Sequence, residues 1–454
     1  METLLKIVQT VNMYLSDYVL VILLIGAGLY FTIRTKFVQV RCFGEGWRRF
    51  FGEFSLNGEK HKAGMSSFQA LATAVAAQVG TGNIVGACGA ILIGGPGAIF
   101  WMWFIAFFGM ATIYAEAVLA QETRVVEPDG TILGGPVYYI KRAFPNGFGK
   151  FLAGFFAVAI ILALGFMGSM VQSNSIGEAC QNAFHIPSWV MGLIVCAIAA
   201  FIFIGGVKRI GAVAGKVVPA MAVIYVLISL IVIILHIDQL PRVLAWVVAE
   251  AFTPTAAEGG FAGATVMMAI RMGMARGVFS NEAGLGTAPM AHAAATSASP
   301  LVQASIGMLD TFIDTIIVCT MTGFAILVTG QWTSGLTGAA MTSAAFETSL
   351  PGIGGIAVTI CLTFFAFTTA LGWCVYGERC AIYFFGDKAQ IPFRIVYCIA
   401  IPVGVLTQLD VVWLLADTCN ALMAIPNLIA ILLLSPVLFK LVKEDESKDS
   451  IFKH

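Results

Sequence analysis

Residues 78–86, QVGTGNIVG, place three glycines and several polar side chains inside an otherwise apolar run. A glycine in a helix interior costs about 1 kcal/mol relative to alanine, so this pattern predicts a broken helix. The break would free backbone amides and carbonyls for a ligand. A half-helix starting beyond it would point its positive N-terminus at an anionic group such as a carboxylate. Close helix packing through small residues is the alternative. The candidate ligand-binding residues are Gln78, Gly80, Thr81, Gly82 and Asn83.

Residues 262–290 repeat this pattern with the sequence RMGMARGVFSNEAGLGTAPM. Gly273 and Gly277 are predicted to bracket the midpoint of a second broken helix, with SNEAGLG (280–286) one turn later. Both glycines are therefore further candidates for substrate binding. The segment is unusually polar for a membrane span, because it also contains Arg271, Arg276, Asn281 and Glu282.

Residues 353–378 carry two adjacent hydroxyls, Thr368 and Thr369, and an indole at Trp373. Hydroxyl and carbonyl oxygens are hard ligands, which suit sodium better than soft metals. The alternative is that both threonines bond back to their own helix. Trp373 lies four residues beyond Thr369 and shares its helix face. It could therefore limit the size of a bound side chain, or it could simply pack.

Asp310 and Asp314 lie four apart within residues 302–329, and charges inside a membrane are costly and usually paired. The predicted structural role is an ion pair, Arg276–Asp314 or Arg271–Asp310. The alternative role is a site for a cation or an ammonium group.

Other polar residues have less specific predictions. Glu116 is expected to be a packed, hydrogen-bonded carboxylate, with a proton-transfer or gating role as the alternative. Gln172 and Asn174 are candidates for the substrate path. His292 is expected at the cytoplasmic surface, outside any metal-ligand cluster.

The composition indicates the medium in which these residues act. The chain is 59% hydrophobic and 11% charged, against about 25% charged in soluble domains, so it is predicted to be a polytopic membrane protein. Its mean hydropathy is +0.90. A net charge of zero argues against nucleic acid as a partner. The ten cysteines form no CxxC pair and are expected to be packing residues. Residues 19–33 are interpreted as part of a retained span rather than a signal peptide.

About eleven transmembrane helices are expected, at about 20 apolar residues per crossing. They are predicted at 14–33, 66–93, 97–121, 150–177, 187–205, 213–236, 262–290, 302–329, 353–378, 391–408 and 411–439. The loops on one side hold all lysines and arginines except Lys6, Arg242, Arg271 and Arg276. The positive-inside rule then places the N-terminus outside and the C-terminus in the cytoplasm of a multi-pass protein in the cell (inner) membrane.

The two broken spans lie five spans apart and run in opposite directions. This arrangement predicts an all-α fold with a five-plus-five inverted repeat, comprising residues 66–236 and 262–439. The whole chain, 1–454, is interpreted as one transmembrane transporter domain. Residues 1–65 add an N-terminal span and a cytoplasmic loop, and 440–454 form a cytoplasmic tail. Discontinuous helices in both halves are typical of secondary transporters with a site at the midplane.

Three segments resemble the alanine or glycine:cation symporter family: QVGTGNIVG, GGPGAIFWMWFIAFFGM (94–110) and RGVFSNEAGLGTAPMAHAAA (276–295). The resemblance implies a LeuT-type fold of the amino acid–polyamine–organocation superfamily, sodium coupling and a small amino-acid substrate. It also implies a sodium site, which changes the preferred interpretation of the two threonines. The implied ligands are the carbonyls of Ala76, Val79 and Phe365 and the hydroxyls of Thr368 and Thr369.

The predicted function is therefore a symporter that imports alanine, glycine or both with sodium, by alternating access. Its partners would be the amino acid, sodium and the lipid bilayer, with no obligate protein partner and no cofactor besides the co-transported ion. The alternatives are an ion channel, which would want a continuous polar pore, and a proton-coupled transporter of another small solute. The sequence contains no HExxH or GxSxG motif, so an enzyme is not expected.

Overall fold

The computed structural model describes residues 2–52, 65–127, 132–297, 299–407 and 409–448. Helices dominate this part of the chain, as expected in lipid, where each backbone polar group needs a partner within its own segment. The predicted all-α fold class is confirmed. Among the described residues, β1 (Val125–Val126) pairs with β2 (Ile132–Leu133) in antiparallel register. Some residues used in the predictions lie outside the described residues: Lys60, Lys62 and the last six residues of the predicted tail, which include Lys453.

The helices are grouped in chain order, divided at the boundaries predicted from the sequence. The N-terminal group comprises α1 (Glu2–Tyr14), α2 (Val21–Arg34), α3 (Val38–Arg41) and α4 (Phe43–Gly52). The first predicted repeat comprises α5 (Ser67–Gln78), α6 (Ala87–Gly94), α7 (Gly97–Thr123), α8 (Pro136–Ala143), α9 (Gly147–Leu162), α10 (Ser169–Phe184), α11 (Ser188–Ile204) and α12 (Gly206–Leu235). A connecting helix, α13 (Leu240–Ala249), follows.

The second predicted repeat comprises α14 (Val266–Asn281), α15 (Ala288–Ala293), α16 (Pro300–Thr311), α17 (Thr320–Val328), α18 (Gly338–Ser349), α19 (Gly354–Phe385), α20 (Gln390–Val405) and α21 (Leu409–Leu433). The tail begins with α22 (Ser435–Lys448). π-Helical stretches occur at Leu15–Leu20, Gly82–Gly86, Ala163–Gly168 and Phe312–Cys319. Single 3₁₀ turns occur at Gln331–Thr333 and Asp387–Ala389.

Within the described residues, eight helices are long and apolar enough to cross a membrane. The number is nine if the bent pair in the second predicted span (66–93, hereafter span 2) is counted as one crossing. Two of the predicted spans have a different form. Residues 187–205 form α11, an apolar helix of 17 residues, and residues 262–290 are divided between α14 and α15. The total of eleven crossings therefore stays a prediction.

The first helix break lies where the sequence predicts it. A capping box between Ser66 and Gln69 starts α5, which ends at Gln78. The chain resumes as a helix over Gly82–Gly94, bent by 53° relative to α5. The break itself is therefore Val79–Thr81, and the other polar and glycine residues of QVGTGNIVG flank it in the two half-helices.

The second break lies further along the chain than predicted. α14 runs without interruption through Gly273 and Gly277, so their assignment as the break residues is wrong. Both sit against α7: a Cβ on Gly273 would overlap the Ala98 carbonyl, and one on Gly277 would lie 2.7 Å from Ile105. These glycines allow close helix packing and are not at the break.

The chain unwinds instead between α14 and α15, within SNEAGLG. Glu282 there has φ +57°, and Gly284 and Gly286 both have φ +85°. Left-handed backbone is strained for residues with a Cβ and accessible to glycine, which explains why the helix ends here.

The predicted ion pairs between 262–290 and 302–329 are also wrong. Arg276 bonds to Asp417 of α21, with Nη2 to Oδ2 at 3.0 Å. Asp310 instead accepts from His292, with Nε2 to Oδ2 at 3.2 Å. His292 is fully buried rather than at the surface, and its Nδ1 lies 3.0 Å from Gln303 Nε2. The faces that α14 and α16 present to their neighbours decide these partners.

Candidate functional site

The break in span 2 frees backbone amides, and two side chains bind them. The Gly80 N–H donates to Asn83 Oδ1 at 2.8 Å, and the Thr81 N–H donates to Gln172 Oε1 at 3.2 Å. Gln172 comes from α10, so the structure brings this candidate to the break. Asn174, two residues on, donates instead to the Gly404 and Thr407 carbonyls at the end of α20. The two neighbouring polar residues of α10 therefore serve different sites.

Several polar atoms at the break have no hydrogen-bond partner among the described residues. They are both polar side-chain atoms of Gln78 and the hydroxyl of Thr81. Gln78 is 3% exposed and Thr81 is fully buried. Leaving a buried donor or acceptor unpaired costs about 1–3 kcal/mol, so such atoms are candidates to bind a polar ligand.

Glycine at the break lets two other helices approach it closely. A Cβ on Gly80 would overlap the hydroxyl of Thr369 in α19 and lie 3.1 Å from Gln172 Oε1. A Cβ on Gly82 would lie 3.1 Å from the Cα of Ser280 in α14. The break is therefore in direct contact with both α19 and the last turn of the other broken helix.

The two threonine hydroxyls of α19 have different partners. Thr369 Oγ1 donates across the interface to α5 and its end, 3.1 Å from both the Ala76 and Val79 carbonyls. The alternative interpretation, that both threonines bond back to their own helix, is therefore wrong for Thr369. Thr368 Oγ1 does bond within α19, 3.1 Å from the Phe365 carbonyl. Of the five oxygens of the expected sodium site, Thr369 therefore contacts the two carbonyls at the end of α5, and Thr368 contacts the Phe365 carbonyl of α19. Both threonines are buried.

Asp314 forms a buried junction that the sequence did not reveal. Its Oδ1 accepts from Asn83 Nδ2 at 2.6 Å and from Ser280 Oγ at 3.0 Å, and its Oδ2 accepts from Thr315 at 2.8 Å. Asp314 is fully buried, and none of the described lysines, arginines or histidines forms an ion pair with it. One carboxylate therefore joins the span 2 break, the end of α14 and the π-helical stretch Phe312–Cys319.

Trp373 is held by the second break. Its Nε1 donates to Glu282 Oε1 at 2.5 Å. Its ring lies against Gly168, where an added Cβ would overlap it, and meets Phe279 edge-on with centroids 6.3 Å apart. Glu282 is 1% exposed. Sequence reasoning did not assign Glu282 to the site, although its place in SNEAGLG was a signal.

Glu116 is a packed, hydrogen-bonded carboxylate, as predicted. Its Oε1 accepts from Asn427 Nδ2 at 2.5 Å, and its Oε2 accepts from the Gly284 N–H at 3.3 Å. Asn427 also donates to the Gly284 carbonyl at 2.8 Å and accepts from the Tyr139 hydroxyl. The unwound segment of the second broken helix is therefore tied to α7 and α21.

The chain is similar to known transport proteins in sequence and in fold. The sequence profile of the sodium:alanine symporter family matches residues 1–451. The sodium/alanine symporter AgcS of Methanococcus maripaludis is 41% identical, over 98% of this chain and 99% of its own. The probable sodium/glutamine symporter GlnT of Bacillus subtilis is 39% identical, over 98% of this chain and 92% of its own. The crystal structure of MhsT in complex with L-phenylalanine shares the fold, with TM-score 0.57 and 15% identity over 84% of this chain and 99% of that chain.

Proposed function

Because the chain belongs to the sodium:alanine symporter family, we propose that it imports alanine, glycine or both together with sodium. It is a multi-pass membrane protein and a sodium-coupled amino-acid symporter, and the proteins it matches are transporters rather than enzymes. The proposal that sodium and the amino acid bind at neighbouring positions depends above all on one observation. The Thr369 hydroxyl bonds across to the Ala76 and Val79 carbonyls. These oxygens suit an alkali cation. The two carbonyls lie at the end of α5, next to the break that would bind the amino acid.

The proposed sodium site joins two elements that must move relative to each other. Ala76 and Val79 lie at the end of α5, and Phe365, Thr368 and Thr369 lie on α19. A cation bound to oxygens of both helices stabilises the conformation that holds them together. The amino acid would bind the same break through its carboxylate, next to Gly80 and Gly82. Each ligand therefore pre-organises the site for the other, which is the physical basis of coupling.

Asp314 is a further proposed binding residue, either for a cation or for the ammonium group of the substrate. Its carboxylate is buried among hydrogen-bond donors that are all neutral, so its charge lacks a cationic partner among the residues the structure describes. A buried charge is costly unless it is paired. The ion pair expected from the sequence does not form, and this favours the alternative role as a site for a cation or for the substrate ammonium group.

Inward transport of substrate follows from the proposed orientation, in which the loops rich in lysine and arginine face the cytoplasm. Residues 66–236 and 262–439 would then move relative to each other around the midplane site, first exposing it outside and then inside.

Uptake by the purified protein in proteoliposomes tests the proposal. Radiolabelled alanine, glycine and glutamine are supplied under imposed sodium, lithium or proton gradients. We expect saturable accumulation of alanine or glycine driven by sodium. Accumulation of glutamine alone would overturn the proposed substrate. Drive by protons alone, or flux that neither saturates nor follows the sodium gradient, would favour the proton-coupled or channel alternative.

Trp373→Ala is expected to widen the range of substrates, if Trp373 limits the size of the bound side chain. Removing the indole enlarges the space beside Gly168 and leaves alanine with fewer dispersion contacts. Larger apolar amino acids should be accepted, and alanine affinity should fall by about tenfold, equivalent to about 1.4 kcal/mol. Competition of unlabelled amino acids against labelled alanine measures both effects.

Trp332→Ala is the matched control for this substitution. Trp332 is 4% exposed and packs against Trp246 and Phe261 in the turn Gln331–Thr333, so its loss should not change the substrate range. A Trp373→Ala protein that keeps the wild-type range would show that Trp373 only packs.

A further inference from the structure

A small cavity lies between the two half-helices α5 and α15, the later part of α19, the start of α12 and the β2 segment. Its volume is about 20 Å³, and its lining includes Thr73, Met290, Tyr376 and Arg379. One water needs about 10–15 Å³ by the same measure, so the cavity has room for a water but not for an amino acid. Separation of α5 and α15 would enlarge this cavity into a passage at the face predicted to be cytoplasmic.

One face of α19 runs from the proposed sodium site to this cavity. Thr369, Trp373, Tyr376 and Arg379 follow each other at spacings of four, three and three residues, which places them on one side of the helix. The rise of a helix puts Arg379 about 15 Å beyond Thr369 along the axis. A ligand leaving the break towards this face would therefore pass Tyr376 and then Arg379.

Among the described residues, the Tyr376 hydroxyl has no hydrogen-bond partner and Arg379 has no ion-pair partner. The Tyr376 hydroxyl is buried, at 1% residue exposure, and has no hydrogen-bond partner there. Arg379 is only partly exposed and forms no ion pair with a described residue. The adjacent acid, Glu378, bonds to Arg394 through both carboxylate oxygens, at 2.6 and 2.9 Å.

We propose that Arg379 and Tyr376 form a second, transient site that binds the carboxylate of the amino acid as it leaves for, or enters from, the cytoplasmic face. A guanidinium binds a carboxylate through two parallel hydrogen bonds, and the phenol supplies a third donor. This site rests on the proposed amino-acid symport and adds to it a recognition step outside the midplane site.

The test compares the two faces of the membrane. Alanine half-saturation is measured in right-side-out and in inverted membrane vesicles under the same sodium gradient. Arg379→Gln should raise the half-saturation concentration at the inner face by about tenfold, because a charge-assisted bidentate contact is lost. The value at the outer face should stay within about twofold, since the midplane site is intact. Tyr376→Phe, which deletes only the hydroxyl, should shift the inner face in the same direction by a smaller factor.

Arg379→Lys is the matched variant, because it keeps the charge and loses the fork geometry. Its inner-face value should lie between those of wild type and Arg379→Gln. An equal shift at both faces, or no shift at either, would overturn the proposed site. If the wild-type protein shows no sodium-dependent alanine or glycine uptake in either kind of vesicle, it is the proposed function that fails.

Discussion

Thr369→Val is expected to raise the sodium concentration for half-maximal alanine binding by about tenfold, within the range typical of coupled sites. Valine keeps the shape of threonine and deletes the oxygen that bonds to Ala76 and Val79. Sodium would lose one ligand and the connection between α5 and α19 would weaken, while the helix stays intact. Alanine binding to the purified protein, titrated with sodium at constant ionic strength, measures the effect. Thr368→Val is expected to act in the same direction.

Thr363→Val is the control for this prediction. Its hydroxyl also lies on α19, but donates at 2.8 Å to the Thr359 carbonyl of the same helix. Sodium dependence should therefore remain that of the wild type. If Thr369→Val and Thr368→Val also behave like the wild type, sodium binds elsewhere, and Asp314 becomes the first candidate.

Asp314→Asn is expected to weaken the stabilisation that sodium gives the folded protein, because it removes the buried carboxylate proposed as a cation site. The substitution keeps the size of the side chain and removes its charge, and a buried charge without a partner is itself costly. The sodium-free protein should therefore melt no lower than the wild type. Melting temperature in sodium chloride and in N-methyl-D-glucamine chloride separates the two effects, because a bound ion stabilises the folded state by mass action. The sodium concentration that produces a given rise in melting temperature should increase by about tenfold, equivalent to about 1.4 kcal/mol.

Asp310→Asn serves as the comparison. Asp310 is also buried on the same helix, but its carboxylate pairs with His292. Its loss should lower the melting temperature in both salts and leave the sodium-induced rise in place, since removing one partner of a buried pair is destabilising. An Asp314→Asn protein that melts lower in both salts and keeps that rise would assign Asp314 a structural role only.

The sequence predicted the elements of the site better than the contacts between them. The span 2 break follows from Gly80, Gly82 and their polar neighbours, because helix propensity is a local property of the chain. The second break was placed at Gly273 and Gly277, although the structure has it at Glu282–Thr287. A glycine in an apolar helix can mark a break or a close packing contact, and the sequence does not distinguish them without the facing helix. At Gly273 that facing helix is α7.

The sequence by itself determined the medium, the helical fold class and the first broken helix, because hydropathy and propensity act over neighbouring residues. It also supplied the family resemblance that names the sodium oxygens. Only the tertiary structure decided which charged and polar side chains contact each other. Arg276 bonds to Asp417, 141 residues away, and Asn83 bonds to Asp314, 231 residues away. Such partners depend on the rotation and depth at which whole helices pack against each other. An apolar stretch specifies that it is buried in a bilayer but not which polar side chain of another helix it will face there.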